Sequence, residues 1–167
     1  MTALKTLPIA IASLLFVGCG SFAPPPPLAP LDPARSLSYL SSGTGSVTGQ
    51  AFTKADDGAI KYASGKTVTL LPASSHFMDW VRRSVYGRNG PPLGPEDQKY
   101  TRTTMTDAKG NFSFSNLPNG EYVVLTEVYW EAPQVDLNGF SKVARTGGPI
   151  SGRVTVEDGA ASKVFLH

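Results

Sequence analysis

The chain has 167 residues, of which 41% are hydrophobic and 17% are charged, and its formal net charge is +2. This length suits one domain with its own core and is short for two. Arg82-Arg83 is the only basic doublet, whereas nucleic-acid binding usually requires a dense basic surface. The composition therefore excludes a nucleic-acid partner. The 17 glycines and 14 prolines favour turns over long helices.

Residues 1–18 are typical of a secretory signal peptide. Lys5 gives a positively charged start, and an almost continuous apolar run extends from Leu7 to Val17. A transmembrane helix needs roughly 20 apolar residues, so this run is too short to be one. We expect an exported protein.

The end of this run resembles a bacterial lipobox. Phe16-Val17-Gly18 precedes Cys19, the only cysteine of the chain. The family prefers Leu where Phe16 stands, and the small Gly18 fits. The resemblance implies cleavage before Cys19 and acylation of this residue, for example with palmitate. The alternative is an ordinary signal peptide that is cut elsewhere, near Ala23.

Residues 19–44 are expected to form a tether rich in proline and serine. Prolines 24–27 stand in a row, and they favour an extended polyproline II segment of about 3.1 Å per residue. Gly20 rather than Asp follows the cysteine, which implies the outer membrane if the organism is Gram-negative. We therefore expect a lipid anchor in the cell envelope with membrane contact through the N-terminal lipid.

From Ser46 onward, apolar residues recur with a period of two, which indicates β-strands. Turn sequences stand at Ala55 to Gly58, Asp107 to Gly110 and Leu117 to Gly120. In the long strand, the alternation places Tyr122, Val124, Thr126, Val128 and Trp130 on one face. The predicted strands are 47–53, 67–71, 100–106, 111–115, 121–130, 150–156 and 162–166, and residues 135–144 are ambiguous.

Seven or eight short strands predict an all-β fold, a Greek-key β-sandwich over residues 45–167. An insertion at about 73–99 separates the second predicted strand from the third. Phe77, Val81 and Val85 recur at helical spacing, and Ser74-Ser75 can cap a helix. We expect a short helix over 75–86, packed on the sandwich and followed by a mobile loop.

Three segments resemble the carboxypeptidase regulatory-like domains, which have a transthyretin-like β-sandwich fold. These segments are Gly45 to Ala51 (GSVTGQA), Gly65 to Leu71 (GKTVTLL) and Thr106 to Val123 (TDAKGNFSFSNLPNGEYV). The resemblance covers about half of the chain, and it implies a fold and a generic adaptor role without shared chemistry. Phe112, Phe114, Leu117 and Tyr122 are expected to be structural.

The sequence does not predict an enzyme. It contains no G-x-S-x-G motif and no phosphate-binding loop, and no cofactor is expected. His76 and His167 have no Cys, His or carboxylate partner at the spacing of metal ligands, so no metal site is expected.

The residues proposed for a binding surface are aromatic. If they converge, they form a platform for a glycan or a peptide, because Trp and Tyr offer rigid contact area. In the alternative interpretation, Phe77 and one Trp simply pack the helix onto the sheet, and Arg82 and Arg83 lie on the solvated face of that helix. The proposed set is Phe77, Trp80, Tyr86, Tyr129 and Trp130.

Two functions remain open at this point. The leading one is an envelope adaptor that binds another envelope protein through an apolar patch or a free sheet edge near the insertion. The alternative is a carbohydrate-binding module for peptidoglycan or a surface glycan, which predicts a solvent-exposed Trp80 or Trp130 with polar residues around it.

Overall fold

The computed structural model describes residues 26–87, 90–135, 137–157 and 159–167. The predicted signal peptide and Cys19 lie outside these ranges. No helix within them is long and apolar enough to cross a membrane.

The helices are α1 (Pro33–Ser36, continued by a 3-10 turn at Leu37–Leu40), α2 (Ser75–Trp80, continued by a π-helical segment at Val81–Tyr86) and α3 (Pro95–Gln98). The strands are β1 (Gly45–Lys54), β2 (Ile60–Tyr62), β3 (Thr67–Pro72), β4 (Arg102–Met105), β5 (Asn111–Leu117), β6 (Gly120–Val135), β7 (Ser141–Val156) and β8 (Ala161–Leu166).

The strands form two four-stranded sheets, which confirms the predicted all-β sandwich. In the first sheet, β1 pairs antiparallel with β2 and β5 and parallel with β8. The second sheet has the order β4-β3-β6-β7 and is antiparallel throughout. The connections β2 to β3, β4 to β5, β5 to β6 and β7 to β8 all cross between the sheets, so the chain closes one core.

The main core lies between the sheets and contains the residues expected there. Phe112, Phe114, Leu117 and Tyr122 are all buried. Burial raises the pKa of the Tyr122 hydroxyl to about 12, and this hydroxyl donates a hydrogen bond of 2.8 Å to the Pro118 carbonyl. The signature residues thus have structural roles, as predicted.

The turn before β5 is built by Asp107, as the sequence predicts. Its carboxylate accepts hydrogen bonds from the backbone amides of Lys109 and Asn111 and from the Asn111 side chain, each at 2.8 Å. The Asn111 side-chain bond is the main reason that the pKa of Asp107 lies below its usual range. Gly110 has φ +76°, and a Cβ there would meet the Ala51 carbonyl.

The insertion packs against the outer face of the second sheet and covers a second apolar cluster. Ser74 caps α2 by accepting from the Phe77 amide. Phe77 and Val81 are buried against Leu71 and Val123, and Val85 is partly buried beside them. The predicted helical face is therefore confirmed, and the second sheet is covered on both faces around Leu71 and Val123.

Residues 26–44 differ from the extended spacer that the sequence predicts. Asp32 caps α1, whose first residue is Pro33. Tyr39 packs edge-on against Tyr122 at 5.1 Å between ring centroids, and its hydroxyl donates to the Glu121 carbonyl at 3.2 Å. Leu31 packs against the second cluster. The contacts of Leu31 and Tyr39 therefore hold this segment on the sandwich.

Polar contacts from the insertion hold the beginning of this segment. The two ring nitrogens of His76 lie 2.6 Å from the Ala29 carbonyl and 2.9 Å from Asp97 Oδ1. Arg83 donates to the Pro26 carbonyl at 2.5 Å and forms an ion pair of 2.9 Å with Asp79. His76 thus has a carboxylate partner 21 residues away, which the spacing in the sequence does not indicate. Within the described ranges no group of three potential metal ligands exists.

The strands β6 and β7 form an arm that extends past the rest of their sheet. β3 pairs with β6 from Pro72↔Tyr122 to Thr69↔Leu125, whereas β6 and β7 remain paired as far as Val135↔Ser141. The ambiguous region 135–144 is therefore the end of this hairpin. The predicted strands 121–130 and 150–156 are the inner parts of β6 and β7.

Candidate functional site at Trp130

Phe77 is not part of a surface. Its side chain has no solvent exposure, and its ring contacts those of His76 and Tyr100 edge-on, with centroids 5.0 and 6.1 Å away. The proposal that it lines a binding platform is therefore corrected, and the alternative that it packs the helix onto the sheet describes its position.

Trp80 and Tyr86 belong to the insertion and are used partly for its internal structure. Trp80 Nε1 donates to the Pro91 carbonyl at 2.9 Å, and the ring packs at the margin of the second cluster. Tyr86 is 49% exposed, and its hydroxyl donates to Ser151 Oγ at 2.8 Å. The Trp80 contact lies within the insertion, and the Tyr86 contact joins the insertion to β7.

Tyr129 and Trp130 are adjacent in β6 and lie on opposite faces of the arm. The Arg145 guanidinium stacks on the Tyr129 ring at 3.7 Å, on the outer face. Trp130 continues the inner face and packs against the main core. The five predicted aromatic residues therefore do not converge into one platform, and Trp130 stands apart from the other four.

Trp130 lies where the inner face of β6 emerges from the sandwich. Up to Val128 this face is covered by the first sheet, and Trp130 is only partly covered. Gly147 on β7 allows the ring to lie close to the backbone, because a Cβ there would be 2.8 Å from a ring carbon of Trp130. The ring thus has a fixed position with solvent access on one side.

A cavity of about 260 Å³ opens beside the Trp130 ring. One wall is the arm, which contributes Trp130, Gln134 and Thr146. The other wall is the turn after β1, with Asp56 and Asp57. The lining therefore combines an aromatic ring and four polar residues with the apolar Ala55, Ala132 and Pro133.

Several of these polar groups are held in place. Gln134 Nε2 donates to Thr146 Oγ1 at 3.3 Å, and Asp57 Oδ1 accepts from the Ala59 amide at 2.9 Å. Gly58 has φ +84°, as expected for the Asp-Gly turn. Because each bond uses only part of the hydrogen-bonding capacity of these side chains, acceptors and donors remain for a ligand.

The sequence pointed to Trp130 and missed its partners. Asp56 and Asp57 were assigned to a turn, and they are more than 70 residues from Trp130 in the chain. Gln134 lies at the margin of the ambiguous region. Gln134 is four residues from Trp130 in an extended strand, which places both side chains on one face. This spacing was the sequence signal that could have identified Gln134 as a partner of Trp130.

No protein-family model and no curated protein sequence matches the chain. Among solved structures, it is similar to a Pseudomonas aeruginosa protein that is provisionally described as carbohydrate binding. The identity is 26% and the TM-score 0.70, with 83% of this chain and 98% of that chain covered.

Two pilin structures are more distant. The major pilin subunit of Bacillus cereus has 15% identity and a TM-score of 0.36, with coverage of 75% of this chain and 30% of the pilin. The minor pilin GBS52 of Streptococcus agalactiae has 17% identity and a TM-score of 0.36, with coverage of 75% and 45%.

Proposed function

We propose that this chain is a non-catalytic carbohydrate-binding β-sandwich that holds a sugar ring against Trp130. The observation that carries the proposal is the partly exposed Trp130 ring, fixed beside a cavity whose lining includes Asp56, Asp57 and Gln134. This is the arrangement that the carbohydrate alternative predicted from the sequence.

The chemistry of the cavity matches that of a pyranose. A sugar ring has an apolar face of C–H groups, which suits an aromatic surface, and a rim of hydroxyl groups. Carboxylates accept hydrogen bonds from hydroxyl groups, and an amide both donates and accepts. Asp56, Asp57 and Gln134 can therefore bind the rim while Trp130 covers the face. Binding sites of this kind are concave and have a few convergent polar groups.

Structural similarity supports the same conclusion. The Pseudomonas aeruginosa protein, provisionally described as carbohydrate binding, is covered over 98% of its length. The adaptor hypothesis located its surface near the insertion, where Phe77 is buried and where Trp80 and Tyr86 make internal contacts. The geometry therefore favours a glycan over a protein as the ligand.

We further propose that the chain works in the cell envelope, anchored through acylated Cys19. The support is the lipobox resemblance of Phe16 to Cys19, which precedes all described residues. Metabolic labelling with a palmitate analogue tests it. We expect label on the wild-type protein and none on Cys19→Ser. Equal labelling of both proteins would contradict the proposed anchor.

Sugar binding is tested with a glycan array, followed by calorimetric titration of the best ligands. We expect Trp130→Ala to weaken binding at least tenfold, which corresponds to about 1.4 kcal/mol. The matched control is Tyr129→Ala, because Tyr129 is the adjacent residue on the opposite face of the same strand. We expect this control to bind like the wild type. Equal weakening in both variants would place the site elsewhere, and an array without any bound glycan would refute the proposed function.

A further inference from the structure

The end of the β6–β7 arm exposes a concentration of large apolar side chains. Val135 is 71% exposed, Leu137 106%, Phe140 71% and Val143 69%. These four lie within nine residues, whereas the other large exposed apolar residues are scattered over α1, the first sheet, β4 and the insertion. We call these four residues the apolar tip. Such concentrations on a protein surface usually mark an interaction site.

The register of the arm places the apolar tip at one end of the molecule. Val135 pairs with Ser141 in the last pair of the ladder, and Val143 pairs with Pro133 two positions further back. At about 3.4 Å per residue, the four side chains lie within the last 10 Å or so of the arm. Leu137 and Phe140 belong to the connection itself. The tip is therefore a narrow convex projection.

This shape fits a lipid bilayer better than a protein. A stable protein interface buries roughly 800 Å² on each side, and a ribbon of two strands about 5 Å apart cannot offer such an area at its end. A bilayer needs no complementary surface, and apolar groups of interfacial segments enter it by about 5 to 10 Å. That depth matches the extent of the apolar tip.

The charges behind the tip are suitable for the headgroup layer. Lys142 lies within the tip, next to Val143, and Arg145 follows the tip along β7. Both are exposed, and long basic side chains can reach lipid phosphates. Arg145 stacks on Tyr129 and lies 3.9 Å from Glu127 Oε1, and the sequence places the acidic Asp136 beside Val135, so the basic residues are offset. Apolar insertion rather than charge should therefore dominate the affinity.

We infer that the apolar tip inserts into the surface of a lipid bilayer and gives the domain a membrane contact of its own. The contact is separate from sugar binding, because Val135 and Val143 lie on the face of the arm opposite to Trp130. At about 3.4 Å per residue, Trp130 stands about 17 Å behind Val135. The Trp130 ring therefore stays outside the inserted part, whereas Gln134, the neighbour of Val135, lies at its margin.

A fluorescent reporter at the tip tests this contact in the full chain. Phe140→Trp is compared with Met105→Trp, both in a Trp80→Phe, Trp130→Phe background that leaves one tryptophan in each chain, because Met105 is 68% exposed but lies on β4, away from the arm. Each variant is mixed with phosphatidylcholine vesicles whose acyl chains are either brominated or unmodified, and quenching by bromine is measured. This readout is local, so other membrane-binding segments of the chain do not mimic it.

We expect bromine to quench the tryptophan at position 140 at least twofold more strongly than the one at position 105. Adding Leu137→Ser and Val135→Ser to the Phe140→Trp chain should remove the difference. Equal quenching at both positions would overturn the inference. A blue shift at position 140 that grows with protein concentration without vesicles would also overturn it, in favour of contact between two copies.

Discussion

Replacement of Phe77 by alanine tests the assignment of this residue to the core. The side chain is fully buried between α2 and the outer face of the second sheet. A Phe→Ala change at such a site costs about 3 to 5 kcal/mol, the sum of lost burial and the cavity left behind. Since small domains have a total stability of about 5 to 15 kcal/mol, Phe77→Ala removes a large part of it.

Urea unfolding followed by circular dichroism measures this loss. With a slope of about 2 kcal/mol/M, the unfolding midpoint should fall by about 2 M. The control is Phe165→Ala, because Phe165 is 49% exposed and its loss should cost less than about 1 kcal/mol. The reasoning is refuted if Phe77→Ala keeps its stability within about 1 kcal/mol. If Phe77→Ala is stable and loses sugar binding, Phe77 belongs to the binding surface and not to the core.

Two further predictions concern the arm and the main core. Gly147→Ala should cost about 1 to 3 kcal/mol and weaken sugar binding, because φ is +104° and the new Cβ would meet the Val128 carbonyl and the Trp130 ring. Gly148→Ala, where a Cβ meets nothing within 4 Å, is the control, and equal losses in both would contradict this account. In the second prediction, stability depends on pH through Tyr122. Its pKa is raised from 10.0 to about 12 in the folded state, so its stabilising contribution is complete below pH 10 and disappears as pH rises through 12. Urea midpoints between pH 9 and 12 should therefore fall more steeply for the wild type than for Tyr122→Phe, and parallel curves would refute this role.

Local patterns made the sandwich predictable. The alternation around Phe112 and Phe114 and the turn from Asp107 to Gly110 depend on neighbours within five residues, and all were located correctly. The helix over 75–86 was found for the same reason, since its apolar spacing is local. The parallel pairing of β1 with β8 was not predicted, because it joins residues more than 100 positions apart.

The candidate site was predictable only in part. The aromatic residues were evident from the sequence, but the sequence does not indicate which of them face the core, so Phe77 and Trp130 were placed on one surface. The segment 26–44 was misjudged because its prolines dominated the composition. Asp32 followed by Pro33 is a helix-start signal, and it was the available indication that this segment folds.

The packing of the N-terminal segment limits how far the domain can move from an anchor at Cys19. A free tether over residues 19–44 would give a reach of about 80 Å at 3.1 Å per residue. Because Pro26 and Ala29 are already bonded to Arg83 and His76, only seven residue steps separate Cys19 from the folded part. Fully extended, they span at most about 25 Å. An acylated chain would therefore keep its sandwich within one domain diameter of the lipid, where it meets short or membrane-proximal glycans and does not reach distant ones.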